Sequence, residues 1–190
     1  MRIQLTIRTE KAGSIIPVNY QYPLSAAIYK IIQKADSSYS AFLHEKGYGK
    51  GFKLFSFSDL ETPFKIQSDR LLLLTDAAQF TICFHLPRAA ETFIKGLFMS
   101  QQIVIADKSS KTVFTVQNVE VVNDELESLT DEESVKLLLR PLSPIVCDLK
   151  NEQGEIIYLS PEEDRYEEMI YKNWQEKVLP KLATNKFIFI

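Results

Sequence analysis

The sequence predicts an α+β fold, a sheet carrying helices on one face. Three observations point there. Apolar and polar residues alternate through residues 1–9 and again through 80–86. Apolar residues at helical spacing follow each of these strands. The elements come in the order strand, helix, two strands, helix, strand, which is the ferredoxin-like βαββαβ unit, the arrangement of RNA-recognition (RRM-like) domains.

Each element has a local cause. In residues 1–9, Ile3, Leu5 and Ile7 point one way, and Arg2, Gln4, Thr6 and Arg8 the other. After a turn near Lys11–Gly13, a helix is predicted to start just after Pro23, with Leu24, Ile28, Ile31, Ile32 and Ala35 in one arc. Tyr29 falls roughly 115° from the middle of that arc, beside Ser25 and Gln33, on the flank of the helix. A second short helix, about Tyr39 to Glu45, carries His44 at its C-terminal end, where the helix dipole favours a cation. Strands are expected near Lys53–Ser58, Leu71–Thr75 and Phe80–Leu86, with Thr75–Gln79 as the hairpin turn joining the last two. Pro87 suits the first turn of a helix carrying Ala90, Phe93, Ile94, Leu97 and Phe98. Strands return at Ile103–Ile105 and Val113–Val122.

A second set of elements begins later. The acidic segment over residues 124–134 reads as a solvated linker. From Val135 come a strand, a turn near Asn151–Gly154, a strand at Ile156–Leu159 and a helix from Pro161 to about Val178, in which Tyr171 and Trp174 are spaced as packing residues. The pattern predicts tandem ferredoxin-like domains: a complete one over 1–123 and a partial one over 135–190 that breaks off after its first helix. The apolar run Phe187–Ile190 would then open a strand, whose unpaired edge favours pairing with a second copy of the chain, as a homodimer.

Composition narrows the function classes. The chain has 190 residues, 45% of them hydrophobic and 25% charged, which is globular rather than disordered. The longest aliphatic run, Leu71–Leu74, is far too short to span a bilayer, and the alternating N-terminus lacks the apolar core of a signal peptide. Two cysteines, Cys83 and Cys147, form no ligand motif, so neither a zinc site nor a disulfide framework is expected, no cofactor is implied, and a reducing cytoplasm is the default. The formal net charge is −3, but residues 1–60 hold eight Lys or Arg against four Asp or Glu, while the remainder holds fourteen against twenty-one. A phosphate-binding surface therefore belongs in the first third, helped by isolated cations such as Arg140.

The chemistry-bearing residues concentrate between Ser38 and Asp59. His44, one of two histidines, precedes a glycine-alternating loop, Gly47-Tyr48-Gly49-Lys50-Gly51, and Lys53 opens the next strand. A titratable imidazole, a glycine loop and two lysines within ten residues suit chemistry on a phosphate. The loop matches neither the P-loop nor the dinucleotide fingerprint. Taken singly, His44 also reads as a helix-end residue, Tyr29 as boundary packing and Lys53 as an edge-strand charge.

Together these segments resemble the CRISPR-associated repeat endoribonuclease, the enzyme of the RAMP superfamily that cuts precursor CRISPR RNA within its repeats. The resemblance is carried by PVNYQYPLSAAIYKII, FLHEKGYGKGFKLFSFSDL, FIKGLFM and LLLRPLSPIVC, in the family's order and spacing. It implies a Tyr–His–Lys catalytic set that falls on Tyr29, His44 and Lys53, with Lys50 a competitor for the lysine and Lys50 and Arg140 as RNA contacts. The family's glycine-rich loop late in the second domain has no counterpart here, which implies a shortened chain whose RNA affinity is affected more than its chemistry.

The resemblance implies cleavage without a metal. The 2′-hydroxyl attacks the neighbouring phosphate, leaving a 2′,3′-cyclic phosphate and a 5′-hydroxyl. His44 then moves a proton, Lys53 stabilises charge on the phosphorane, and Tyr29 positions or assists. CRISPR repeat RNA is the implied partner, with other CRISPR-associated subunits beside it and no membrane. Two rival readings stand: a non-catalytic RNA-binding RAMP subunit that scaffolds a CRISPR ribonucleoprotein complex, and a ferredoxin-like protein with no RNA role.

Overall fold

The computed structural model describes residues 1–48, 53, 55–122 and 145–178. The chain divides into two units, Met1–Leu142 and Ser143–Ile190. The first unit is built on β1 (Arg2–Arg8), β2 (Ile15–Pro17), α1 (Gln21–Ala35), α2 (Ser37–Glu45), β3 (Phe55–Phe57), β4 (Phe64–Gln67), β5 (Arg70–Leu73), β6 (Ala77–Phe84), α3 (Pro87–Ser100), β7 (Gln102–Ala106) and β8 (Lys111–Val122).

Its main sheet has the order β3-β6-β1-β8-β7, every neighbouring pair antiparallel. Removing the edge strand β7 leaves the interleaved order expected of a βαββαβ unit, consistent with a ferredoxin-like architecture. β1 sits at the centre for a reason visible in its sequence: Ile3, Leu5 and Ile7 are completely buried, and its other face is polar. Those residues meet Phe80 and Ile82 of β6, Phe114 of β8, Leu24, Ile28 and Ile32 of α1 and Phe93 of α3 in one core. The register between β1 and β8 shifts between Thr6 and Ile7, a bulge in the long strand.

Two expectations need correction. The segment near Leu71–Thr75 does not form a hairpin with the strand near Phe80. Instead β5 pairs with β2 and β4 in a separate three-stranded sheet, order β2-β5-β4. The place beside β6 is already taken. β3 and the chain after it run along β6 through Ser58 N–H to Thr81 O at 2.8 Å and the reciprocal Glu61–Gln79 pair at 2.7 and 3.1 Å. Secondly, α1 begins at Gln21, so Pro23 lies inside its first turn, where the missing N–H costs nothing.

α1 and α3 cross in close contact at Gly96. A Cβ built there would stand 2.0 Å from the main-chain oxygen of Ile31. Only glycine allows this approach, because the obstacle is backbone and cannot rotate away.

The second unit carries β9 (Asp148–Lys150), β10 (Ile156–Tyr158) and α4 (Asp164–Val178). β9 and β10 form an antiparallel hairpin. Its turn is closed by the Asn151 side chain, which accepts from Gln153 N–H at 3.0 Å and Glu155 N–H at 2.8 Å, with Gly154 at φ +83°. On α4, Tyr171 and Trp174 are 39% and 44% exposed. The linker 124–134, the strand expected from Val135 as far as residue 144, and the Phe187–Ile190 run lie outside the described residues. Among the described residues no helix is long and apolar enough to cross a membrane.

Gly96→Ala is expected to lower stability by about 1–3 kcal/mol, the usual cost of overpacking. The gain in helix propensity, about 1 kcal/mol, is too small to offset a separation of the two helices. Lys95→Ala on the exposed side of α3 should stay within about 0.5 kcal/mol. Urea denaturation of both variants measures the contrast.

Candidate active site

The site is assembled where α1, the end of α2 and the chain entering β3 meet. α1 buries Leu24, Ala27, Ile28, Ile31 and Ile32, which leaves Tyr29 half-buried on its flank, as the helical spacing predicts. Asp36 separates the two helices as a single extended residue. It ends α1 and caps α2, its carboxylate accepting from Tyr39 N–H at 2.8 Å. That bond, with the Arg88 guanidinium at 3.0 Å, holds the Asp36 carboxyl below the usual carboxylate range. Arg88 also lies over the Tyr39 ring, 4.5 Å from its centroid, which ties the start of α2 to the start of α3.

The other end of α2 carries the imidazole. His44 is exposed in the last turn. The helix closes at Gly47, φ +66°, whose N–H donates to Phe42 O at 2.8 Å. The first glycine of the alternating loop is therefore a helix terminator. The His44 and Tyr29 rings meet edge to face, centroids 5.7 Å apart, and Phe55 of β3 packs edge-on against Tyr29 at 5.4 Å.

Lys53 completes the group by an unexpected route. Its Nζ donates to the main-chain oxygen of His44 at 2.8 Å. Carbonyls in a helix's last turn lack intrahelical partners, so the lysine caps α2 and is drawn to the histidine's backbone rather than its ring. Among the described residues this bond uses one of its three ammonium protons, and an ammonium can direct the others to a ligand oxygen. Lys53 lies before β3 instead of opening it. Burial pushes the Tyr29 phenol up from its ordinary value. The phenol is thus a hydrogen-bond donor and poorly suited to act as a base.

Tyr29, His44 and Lys53 are thereby brought together. Lys50 and Arg140 lie outside the described residues. Among the described residues, no group of three His, Cys, Asp or Glu stands ready for a metal ion, and Cys83 and Cys147 form no disulfide. An open depression of about 260 Å³ is lined by Tyr22, Ser25, Ala26, Tyr29 and His44. Tyr22 and Ser25 were not among the residues predicted. With the helix placed after Pro23, Tyr22 stood outside it; once α1 starts at Gln21, residues 22, 25 and 29 share a stripe at i, i+3 and i+7.

Residues 15–120, more than half the chain, match the family model for CRISPR-associated protein Cas6, N-terminal. This chain belongs to the Cas6 family. It is 28% identical over 181 residues to the CRISPR-associated endoribonuclease Cas6 1 of Methanocaldococcus jannaschii, covering 93% of this chain and 65% of that one. The chain thus spans just under two-thirds of that Cas6 protein's length. Two solved structures share the fold. One is of a Cas6-related gene from Pyrococcus furiosus, at 18% identity, with a TM-score of 0.75 over 98% of this chain and 72% of the other. The second is described as a RAMP protein binding different RNA substrates, at 19% identity, with a TM-score of 0.71 over 97% and 73%.

Within this Cas6 chain, the first turn of α1 is fastened by Tyr20. Its hydroxyl donates to Asp59 Oδ1 at 3.1 Å and accepts from Leu60 N–H at 2.9 Å, and Gln21 Nε2 reaches the same Asp59 oxygen at 2.9 Å. Burial, only partly offset by the Leu60 N–H, pushes the Tyr20 phenol from 10.0 up to about 12. The unfolded chain ionises first, so this phenol's contribution to stability is complete below about pH 10 and is lost as pH rises towards about 12. Tyr20→Phe should cost about 1–3 kcal/mol at neutral pH by stranding the Leu60 N–H. The gap between wild type and variant should narrow from pH 8 to pH 11, as read by urea denaturation at each pH.

Proposed function

We propose that this chain is a metal-independent endoribonuclease that cleaves precursor CRISPR RNA within its repeats. The observation that carries the reading is that Tyr29 and His44 line one open depression while the Lys53 ammonium is held on the main-chain oxygen of His44. Membership of the Cas6 family supports the substrate class. The depression, about 260 Å³, lies just under the roughly 300–1,000 Å³ of pockets that enclose small molecules, and its open form suits part of a polymer.

In this reading the 2′-oxygen attacks the adjacent phosphorus while the bond from phosphorus to the 5′-oxygen breaks. The proton leaving the 2′-hydroxyl and the proton reaching the 5′-oxygen balance, so no water is consumed. His44, exposed at the rim, carries proton transfer. Lys53 places positive charge where the phosphorane's negative charge develops. Tyr29, kept neutral, donates a hydrogen bond that orients the phosphate. The second unit, with its β9–β10 hairpin and α4, is read as belonging to a second domain of the same kind. The partners follow the family: repeat RNA, and other CRISPR-associated subunits.

Incubating repeat RNA with the full chain in EDTA tests this. Site-specific cleavage with 2′,3′-cyclic phosphate and 5′-hydroxyl ends is expected. His44→Ala should slow single-turnover cleavage by about 10²–10⁴-fold, the range for losing a general acid or base. It should leave stability within about 0.5 kcal/mol because the side chain is exposed, and RNA binding should barely change, since affinity is dominated by phosphate contacts. Lys53→Ala should lower both rate and, modestly, affinity, and Tyr29→Phe should have the smallest effect. A requirement for Mg²⁺, or an unchanged rate in His44→Ala, defeats the reading. Binding without cleavage by the wild type promotes the scaffolding subunit in its place.

A further inference from the structure

We infer that Tyr22 is a stacking platform for one unpaired base beside the cleaved linkage, and that it holds the RNA strand in register over Tyr29 and His44. The inference rests on the RNA-cleavage reading above. A single exposed apolar side chain is ordinary and carries nothing alone. Tyr22 differs in where it stands and how it is held. It is 82% exposed, the highest value among the large apolar side chains of the described residues. It also lines the same open depression as Tyr29 and His44. The rest of the lining is Ser25 and Ala26, two small residues that leave room for a flat ring.

The backbone beneath Tyr22 is fixed. Tyr20 and Gln21, its two predecessors, are both hydrogen-bonded to Asp59, and Tyr20 also accepts from Leu60 N–H. On its other side Leu24 is buried in the core. The ring is therefore presented by an ordered helical turn, and little backbone entropy is lost when a base settles on it. Phenolic rings stack on any base face, which suits a residue that grips a strand without reading its sequence.

Spacing fits a strand. Tyr22 and Tyr29 are seven residues apart, two turns of α1, so they share a face about 10 Å apart along the axis. That is about three nucleotides at a stacked rise of about 3.4 Å, and fewer where the strand is splayed. A phosphate held at Tyr29, His44 and Lys53 thus leaves a base within three nucleotides of the cleaved linkage able to reach Tyr22.

The probe is repeat RNA with a 2′-deoxy sugar at the cleaved position, which blocks attack, and 2-aminopurine placed singly at each site within three nucleotides of it. With the full chain, fluorescence at one position should be quenched on binding. Tyr22→Phe and Tyr22→Trp should keep that quenching, and Tyr22→Ala should lose it and bind on the order of tenfold more weakly. On unmodified repeat RNA, Tyr22→Ala should raise the concentration needed for half-maximal rate by a similar factor, with a smaller change in the saturating rate. Matching circular dichroism and melting of the three variants keeps the comparison clear of misfolding. Equal quenching in wild type and Tyr22→Ala at every position overturns the inference, as does a Tyr22→Phe variant as impaired as Tyr22→Ala, which would assign the effect to the hydroxyl. Quenching that depends on the ring in a wild type that does not cleave would sink the nuclease reading and leave Tyr22 in its role.

Discussion

The position of α1 is the constraint on which the rest of the site depends. The helix carries the site on one flank and the core on the other. Its buried stripe from Leu24 to Ile32 fixes its rotation against the sheet. The contact of Ile31 with Gly96 fixes its distance from α3. Asp59 and Leu60, just after β3, fix its first turn through Tyr20 and Gln21. Three independent restraints leave Tyr22, Ser25 and Tyr29 little freedom, although none of these three lies in the core. Geometry at an exposed site is thus set by contacts that are buried or hydrogen-bonded elsewhere.

The cation is placed with equal economy. Among the described residues Lys53 is held by a neutral carbonyl, which positions its charge without cancelling it. A carboxylate partner would have held the ammonium more firmly and neutralised it. Because the acceptor is the His44 main chain, the lysine and the imidazole share one anchor, the last turn of α2. The helix α2 is itself held by Gly47 at its end and by Asp36 and Arg88 at its start.

The outline of the first unit was legible because its strands and helices follow strong periodicities. The alternation in β1 and the stripe in α1 each name buried residues correctly, and Tyr29 sits where its angle places it. The pairing of β5 was not legible. Leu71 and Leu73 are apolar enough for any sheet, and nothing local says that the chain after β3 will reach β6 first. β4 gives no signal because all four of its residues are exposed. The bond from Lys53 to the carbonyl of His44 has no sequence signature either, since every residue offers a carbonyl. Tyr22 is hidden for a narrower reason: Pro23 reads as the boundary of a helix that tolerates it in its first turn.

The site's shape bears on how substrate is held. An open depression of about 260 Å³ lined, among the described residues, by no charged lysine or arginine cannot supply much affinity for a polyanion by itself. Most binding energy for a polyanion comes from many phosphate contacts spread along the strand. The excess of basic residues in the first sixty positions is consistent with that division, although the chain as a whole is acidic. In the proposed reading, binding is distributed along the RNA, and the few residues at α1 and α2 are left to orient one linkage. An exposed histidine suits the task proposed for it: a strand arriving from solvent can reach it, and a buried imidazole would be shielded.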